Sequence, residues 1–463
     1  MIANQLISVI TILIVCNIVD SHVSLTFPPA RKYDLDFLDN VRTKGACGGM
    51  PKGDIKTSIK NDGKLKVDWH LGYAHNGGFK IALLDKSEKL LIDFTGGFQT
   101  NDKFAHSYEI NIPSDLECIG CVLKLTRQAS EWKNYEFYSC ADVDIVPSLN
   151  YNIEYCSGKG SPSGQSCSCD KGYFGDRCQF YQDCDTDTDC QNNGKCIDVQ
   201  GTALPKKECY CPIGFYGRTC DKVSPIKSKS YNTTDYTAVD LRQNFKFYWR
   251  LLGQFQNTME GIIVAGTTSY AAVGWRDANE EPICQKFPTD VDHPVIPKSL
   301  HPMDCQDVVI GKAFGDFSHV ADYYTRDRST PRRDEVYGGE DDLVAAAGWE
   351  EDGVTTIMFR KPVDSGDMAD NKFEGDLKFI YAFGQTPTDF YKADELKYHL
   401  GNRGHLGKFF FNTYFNFFFL HFLLFIFRYP GQNKFWFYCC CTIIFSPNFV
   451  CLLFDSTLSC DLN

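Results

Sequence analysis

Two histidines open the list of residues that could do chemistry. Leu6 to Val19 (LISVITILIVCNIV) is an apolar run followed by small residues, too short to span a membrane comfortably and laid out like a secretory signal peptide. Cleavage after Ser21 would remove residues 1–21 and make His22 the first residue of the mature chain. The free amine and the imidazole of an N-terminal histidine together chelate one metal ion. One further imidazole completes a T-shaped set of three nitrogens, which suits copper by ligand type and geometry. His75, in VDWHLGYAHNGGFKI, is the candidate for that third nitrogen. His70 and His106 read as ordinary surface or core histidines. Neither HEXXH nor G-x-S-x-G occurs, so no peptidase or serine-hydrolase motif competes with the redox reading.

At 463 residues the chain exceeds one core, and two or three domains are expected beside a cysteine-rich stretch. A net charge of -12 argues against nucleic acid as a partner, since phosphate binding needs clustered Lys and Arg, and the basic run Lys222 to Lys229 is short. Of 22 cysteines, ten fall between Cys156 and Cys220. A stretch so small and so poor in Leu, Ile and Val cannot fold on apolar burial alone, which calls for disulfides and an oxidising compartment.

Within that stretch, Cys184, Cys190, Cys196, Cys209, Cys211 and Cys220, with the C-Y-C pair and the Gly-Phe-Tyr-Gly turn before the last, resemble an EGF-like module over residues 181–222. The resemblance implies pairing of 184 with 196, 190 with 209 and 211 with 220. Residues 151–180 hold only Cys156, Cys167, Cys169 and Cys178 and look like a partial EGF-like module. The approach to Cys184 is Phe180-Tyr181-Gln182-Asp183, set against the acidic and amide residues that calcium-binding members carry there and further on, and no calcium role is expected. The expected role is a rigid spacer between two domains. Residues 223–235 read as a linker, with Asn232-Thr233-Thr234 a glycosylation acceptor.

Ahead of the spacer, period-2 stretches such as KLKVDWHL and FKIALLDK read as strands. Over residues 22–148 the segments HVSLTFPPARKY, KGACGGMPKG, WHLGYAHNGGF, Cys118-x-x-Cys121 followed by LKLTRQASEW, and FYSCADVDI resemble, in order, the lytic polysaccharide monooxygenases of animals and their copper-binding relatives. That resemblance implies an immunoglobulin-like β-sandwich, His22 and His75 as copper ligands, and an aromatic axial residue. Phe137 is the choice, with Tyr138 and Tyr135 as alternatives. The four cysteines of this domain allow three connectivities, of which Cys47 with Cys140 and Cys118 with Cys121 is the expected one.

Beyond the linker, FKFYWRLL, EGIIVAGTTSYAAVGW, DVVIGKAF, HVADYYT, GVTTIMFRKPV and LKFIYAFG alternate without a helical pattern, so residues 236–407 are expected to form a second β-sandwich. YAAVGW, MDCQDVVIGKAF, EVYGGEDDL, TTIMFRKPVDSGDMAD and YHLGNRG together resemble a DOMON domain. Haem-binding members hold haem b between a methionine and a histidine, and the resemblance puts Met303 and His399 in those places. Cys284 and Cys305 flank Met303 and are expected to pair.

Residues 408–463 form a phenylalanine-rich tail. Phe409 to Phe427 is long enough to cross a bilayer, although Asn412, Asn416 and His421 are costly inside one. The rival explanation is translated intron, since Gly407-Lys408-Phe409 is encodable by GGTAAGTTT, which contains a splice donor.

These readings converge on an all-β extracellular protein, secreted or held on the outer face of the plasma membrane. Its expected function is copper-dependent oxidative cleavage of an extracellular polysaccharide, with the DOMON domain as haem electron donor. The alternative is a non-enzymatic matrix or cell-surface protein that binds glycans or glycoproteins.

Overall fold

A computed structural model describes residues 23–411 except 32–38, 41–42, 44, 54–56, 72–74, 131–132, 134, 148–155, 164–165, 176, 200–204, 255–256, 280–299, 329, 385–398 and 400, and in the tail describes 422–428, 435–445 and 448–453. His22 and Cys284 fall outside the described residues. No α-helix occurs among those described, and the architecture is all-β.

The first sandwich contains β1 (Val23–Phe27), β2 (Thr57–Lys60), β3 (Gly63–Leu71), β4 (Phe79–Leu84), β5 (Leu90–Asp93), β6 (Ser107–Ile112), β7 (Cys118–Ala129) and β8 (Tyr135–Val146). One sheet has the order β1-β3-β6 and the other β2-β8-β7-β4-β5. Alternation along β3 buries Leu65, Val67, Trp69 and Leu71 while Lys64 and Lys66 face water, the signature of a sheet with one wet face. These residues meet Ile81, Leu123, Leu125 and Val143 of the opposite sheet in one core. Cys47 is bonded to Cys140 and Cys118 to Cys121.

Short hairpins follow: β9 (Gly160–Ser163), β10 (Ser166–Cys169), β11 (Tyr173–Phe174), β12 (Phe180–Tyr181), β13 (Lys195–Asp198), β14 (Lys207–Pro212), β15 (Phe215–Tyr216) and β16 (Lys222–Val223). Disulfides join Cys156 with Cys167, Cys169 with Cys178, Cys184 with Cys196, Cys190 with Cys209 and Cys211 with Cys220. In the larger module the cysteines themselves form the core, with Phe215 packed against them.

The second sandwich contains β17 (Thr237–Arg242), β18 (Phe245–Leu252), β19 (Thr258–Ala265), β20 (Tyr270–Asp277), β21 (Gln306–Phe314), β22 (Phe317–Thr325), β23 (Arg332–Arg333), β24 (Ala345–Glu351), β25 (Val354–Pro362), β26 (Gly375–Phe383) and β27 (Arg403–Phe411). A sheet of order β17-β18-β19-β25-β24 lies against β22-β21-β20-β26-β27. Phe245, Phe247, Ile357 and Phe359 on one side meet Val273, Trp275, Val309 and Phe379 on the other. Lys361, on β25, crosses this core and donates to Asp307 on β21 at 2.7 Å, Asp322 on β22 at 2.8 Å and Asp370 at 2.6 Å. Burial alone would push its ammonium down, but the surrounding carboxylates outweigh that and hold it well above the usual lysine range. Asp370, also bonded by Ser365, stays ionised. Burial and mutual repulsion push Asp307 up to about 7 and Asp322 and Asp334 well above the usual carboxylate range.

Two expectations about the connections are corrected. The larger EGF-like module does not hold the domains apart as a free rod: β14 pairs with the edge of β22, matching Cys211 with Ser318 and Pro212 with Phe317, so β13 and β14 extend the second sandwich's sheet. An open β22 edge would leave N–H and C=O groups unpaired, and the module covers part of it. Residues 223–235 are likewise docked rather than loose. Ile226 is buried with Ile262, Ala347 and Met358, and Tyr231 lies 6.1 Å from Trp349, ring centroid to centroid. A single Ile in a polar stretch gave no periodic signal.

The tail is a separate unit, Asn412–Asn463. In it β28 (Phe422–Arg428), β29 (Phe435–Phe445) and β30 (Asn448–Leu453) form an antiparallel sheet. Among the described residues no helix is long and apolar enough to cross a membrane. The expected span Phe409 to Phe427 begins in β27 and ends in β28, with 412–421 outside the described residues.

The Lys361 arrangement makes a stability prediction. Lys361→Met leaves three carboxylates clustered without their ammonium, and is expected to cost about 3–5 kcal/mol, the usual result of removing one partner from a buried charge cluster. Chemical denaturation followed by tryptophan fluorescence measures it; an unchanged midpoint would mean the sheets are held by apolar packing alone.

Candidate functional site

In the first sandwich, β7 and β8 contact His75, and β1 pairs with the strand that ends four residues before it. The strand β1 starts at Val23, the residue after His22, and Val23 pairs with Leu71 at the end of β3, four residues before His75. The amide of Leu25 on β1 donates to Ser139 Oγ on β8 at 2.9 Å, fixing β1 beside that strand. Phe137, also on β8, is fully buried, and its ring stacks on His75 with centroids 5.9 Å apart and planes 13° from parallel. Tyr135 packs on the other part of Phe137 at 5.0 Å. Tyr138, one residue on, belongs to the opposite face, where it packs with Met50 and lies under Lys124.

Arg127 is a candidate positioning residue that sequence reasoning missed. It faces Phe137 across the β7–β8 ladder and is fully buried. Its guanidinium donates to the carbonyls of His75, at 3.4 Å, and Lys103, tying the two loops together. The signal was present: Leu123, Leu125 and Ala129 share its strand parity and are all core, so an arginine at 127 is a charge in an inward position. The imidazole of His75, backed by an aromatic ring, is a donor type that copper, zinc, iron or nickel would accept. His22 lies outside the described residues.

The second sandwich carries a distinct apolar layer on the outward side of its larger sheet. Tyr270, Ala272, Val308, Ala321 and Tyr323 are buried there, with Ile380 packed against them, apart from the core between the sheets. Ala272 and Ala321, together with Gly274 and Ala382, keep the middle of this face shallow. An added Cβ at Gly274 would come within 2.7 Å of Val308.

Register places the two candidate iron ligands at opposite ends of that layer. Asp307 pairs with Trp275, so the Met303 segment enters at the Trp275 end of β20. Ala271 pairs with Phe383 and Ala382 with Arg403, which puts the His399 segment at the Ala271 end. Both residues are half-buried. Met303 is pinned through its amide to His301 Nδ1 at 3.2 Å and through its carbonyl to Thr325, while the carbonyl of His399 accepts from the Asn402 amide at 2.7 Å. Cys305 beside Met303 is disulfide-bonded. A shallow apolar face with the Met303 segment at one end and the His399 segment at the other would accommodate a haem.

Residues 299–384 match the family model of the DOMON domain. The cysteine-rich region is similar to Neurogenic locus notch homolog protein 1 of Xenopus laevis, 38% identical over 74 residues, 16% of this chain and 3% of that protein. The chain spans under a tenth of the length of the curated relatives it matches. Among solved structures, the cytochrome b domain of pyranose dehydrogenase from Coprinopsis cinerea aligns at 10% identity and TM-score 0.25, over 38% of this chain and 84% of that one. A chitin binding domain from Burkholderia pseudomallei aligns at 10% identity and TM-score 0.18, over 27% of this chain and 100% of that one. At those scores neither likeness carries functional weight. The chain therefore contains a DOMON domain, set beside disulfide-bonded EGF-like modules in an all-β architecture.

Proposed function

We propose that the chain is an extracellular redox protein with two centres: copper on the first sandwich and haem b on the DOMON domain. The observation that carries the reading is the stacking of His75 on Phe137 beside the strand that follows His22. Bound by His22 and His75, copper would supply one-electron activation of dioxygen or peroxide for oxidative cleavage of an extracellular polysaccharide. Phe137 fills one side of the imidazole with an apolar ring, which excludes water there and fixes the ring's orientation. Arg127 holds the His75 backbone, so the donor nitrogen is positioned before any metal arrives. Met303 and His399 would hold haem b, which would supply one-electron transfer. The disulfides fit an extracellular site of action.

Copper stoichiometry tests the first centre. The secreted protein, once sequencing places His22 first, is expected to retain one copper per chain, and His75→Ala to weaken binding by more than the about 10–100-fold that loss of an outer-shell partner costs. No retained copper, or equal affinity in the variant, removes the enzyme and leaves a glycan- or protein-binding role.

Visible spectra test the second centre. The protein as purified is expected to show the sharp bands of a low-spin haem, and Met303→Leu to convert them to a high-spin, five-coordinate spectrum while the protein stays folded. A colourless protein after haem supplementation would end the donor role.

A further inference from the structure

Between the larger EGF-like module and the second sandwich lies a buried charged seam that neither proposed centre uses. From the module come Glu208, on β14, and Asp183; from the sandwich come Lys312 on β21, His319 on β22 and Arg333 on β23. Lys312 donates to Glu208 Oε2 at 2.6 Å. Arg333 donates to Asp183 Oδ2 at 2.5 Å and lies 3.5 Å from Glu208 Oε1. Arg218 holds the other oxygen of Asp183 at 2.8 Å. Glu208 and His319 are 1% and 2% exposed, so this is an interior cluster on a module boundary.

The protonation state of His319 follows from its neighbours. Its Nε2 is 3.3 Å from the Arg333 guanidinium, which carries only donors, so Nε2 presents a lone pair. Its Nδ1, 3.1 Å from the carbonyl of Cys209 on β14, must then carry the hydrogen and donate it across the seam. A second proton would occupy the lone pair that accepts from Arg333 and set an imidazolium against a guanidinium. Lys312, directly opposite His319 in the ladder, adds a third cation. Against these stand Glu208, whose Oε1 is 3.8 Å from Nε2, and Asp183, which Arg333 and Arg218 already engage. Tyr210 packs on the imidazole at 6.3 Å, and Tyr323 faces Arg333.

We infer that His319 is an acid-sensitive latch: neutral, it bonds the EGF-like module to the DOMON sheet, and its protonation releases β14 from β22. Only two residue pairs join those strands, so the seam is held by its side chains, Lys312 on Glu208 and Arg333 on Asp183 beside His319, rather than by the ladder. The electrostatics agree. Burial pushes His319 down to about 4 from 6.5, favouring the neutral form in the folded protein. Its contribution is therefore complete above pH 6.5 and lost as pH falls from 6.5 towards 4. Glu208, held at about 2 by Lys312, His319 and Arg333 despite its burial, acts with the same sign but only below pH 4.5. The pair Lys312–His319 is the next outward row along β21 and β22 after Ile310–Ala321. Release would thus uncover the margin of the outward apolar layer, and the latch stands whether or not that layer holds haem.

Hydrogen exchange on the full secreted chain, corrected for intrinsic rates, tests this. Peptides covering 207–212 and 317–325 are expected to exchange about tenfold faster at pH 5 than at pH 7.5, relative to β18 and β19 in the same molecule. His319→Gln, which keeps a donor and an acceptor but cannot titrate, should abolish that rise. Equal protection at both pH values, or a rise that persists in the variant, overturns the latch. Should the variant fail to fold, the native protein's own titration read in peptide 207–212 decides, because the carboxylates raised by burial in the Lys361 cluster lie outside that segment: a midpoint between 4 and 6.5 there supports His319, and a midpoint below that range assigns the change to Glu208 instead.

Discussion

A lysine ammonium buried between two sheets is the constraint on which the second half of the molecule depends. Lys361 enters from β25 and meets Asp307 and Asp322 on β21 and β22, so one side chain sets the spacing and register of the two layers. Apolar packing among Phe247, Phe359 and Phe379 is not directional and would tolerate sliding. Charged hydrogen bonds in a dry core do not, because every displaced partner becomes an unpaired buried charge. With that register fixed, the outward face is fixed too, and with it the separation between the Met303 and His399 segments.

The same device recurs where other segments are joined on. Glu260, on β19, gathers Arg250, Arg360 and the hydroxyl of Tyr236, anchoring the end of the stretch that leads from the EGF-like module into β17. At the module seam, Glu208 gathers Lys312 and Arg333 beside His319. Both clusters place a carboxylate where an edge or a connecting segment meets a sheet. The result is that module, connecting segment and sandwich form one packed body, which gives the EGF-like module a part in shaping the DOMON domain instead of separating it from its neighbour.

The first sandwich uses a simpler plan. Its two sheets share an apolar core, and the candidate copper ligand is set by what stands at one end of it: the start of β1, the end of β3, and Phe137 on β8. Arg127 is the exception in that core, a cation whose work is to hold two loop carbonyls.

Sequence alone determined whatever rests on local period and spacing. The alternation in GKLKVDWHL placed a strand with one wet face because burial follows side-chain parity. Close cysteine spacing marked the EGF-like modules because so small a segment has no other source of stability. The family resemblance carried by FYSCADVDI, and not spacing, implied an aromatic residue near His75; in the structure it is Phe137 whose ring stacks on that imidazole. What sequence could not supply was any pairing of residues distant in the chain. Glu208 and Lys312 are 104 positions apart, and each alone looks like a solvated surface charge. Only the fold shows that β14 covers part of the β22 edge and shuts both away from water. Arg127 and Ile226 escaped for the same reason. Parity and composition reveal which side chains want burial, whereas the partner that makes a buried charge or a lone isoleucine favourable is set by tertiary contact.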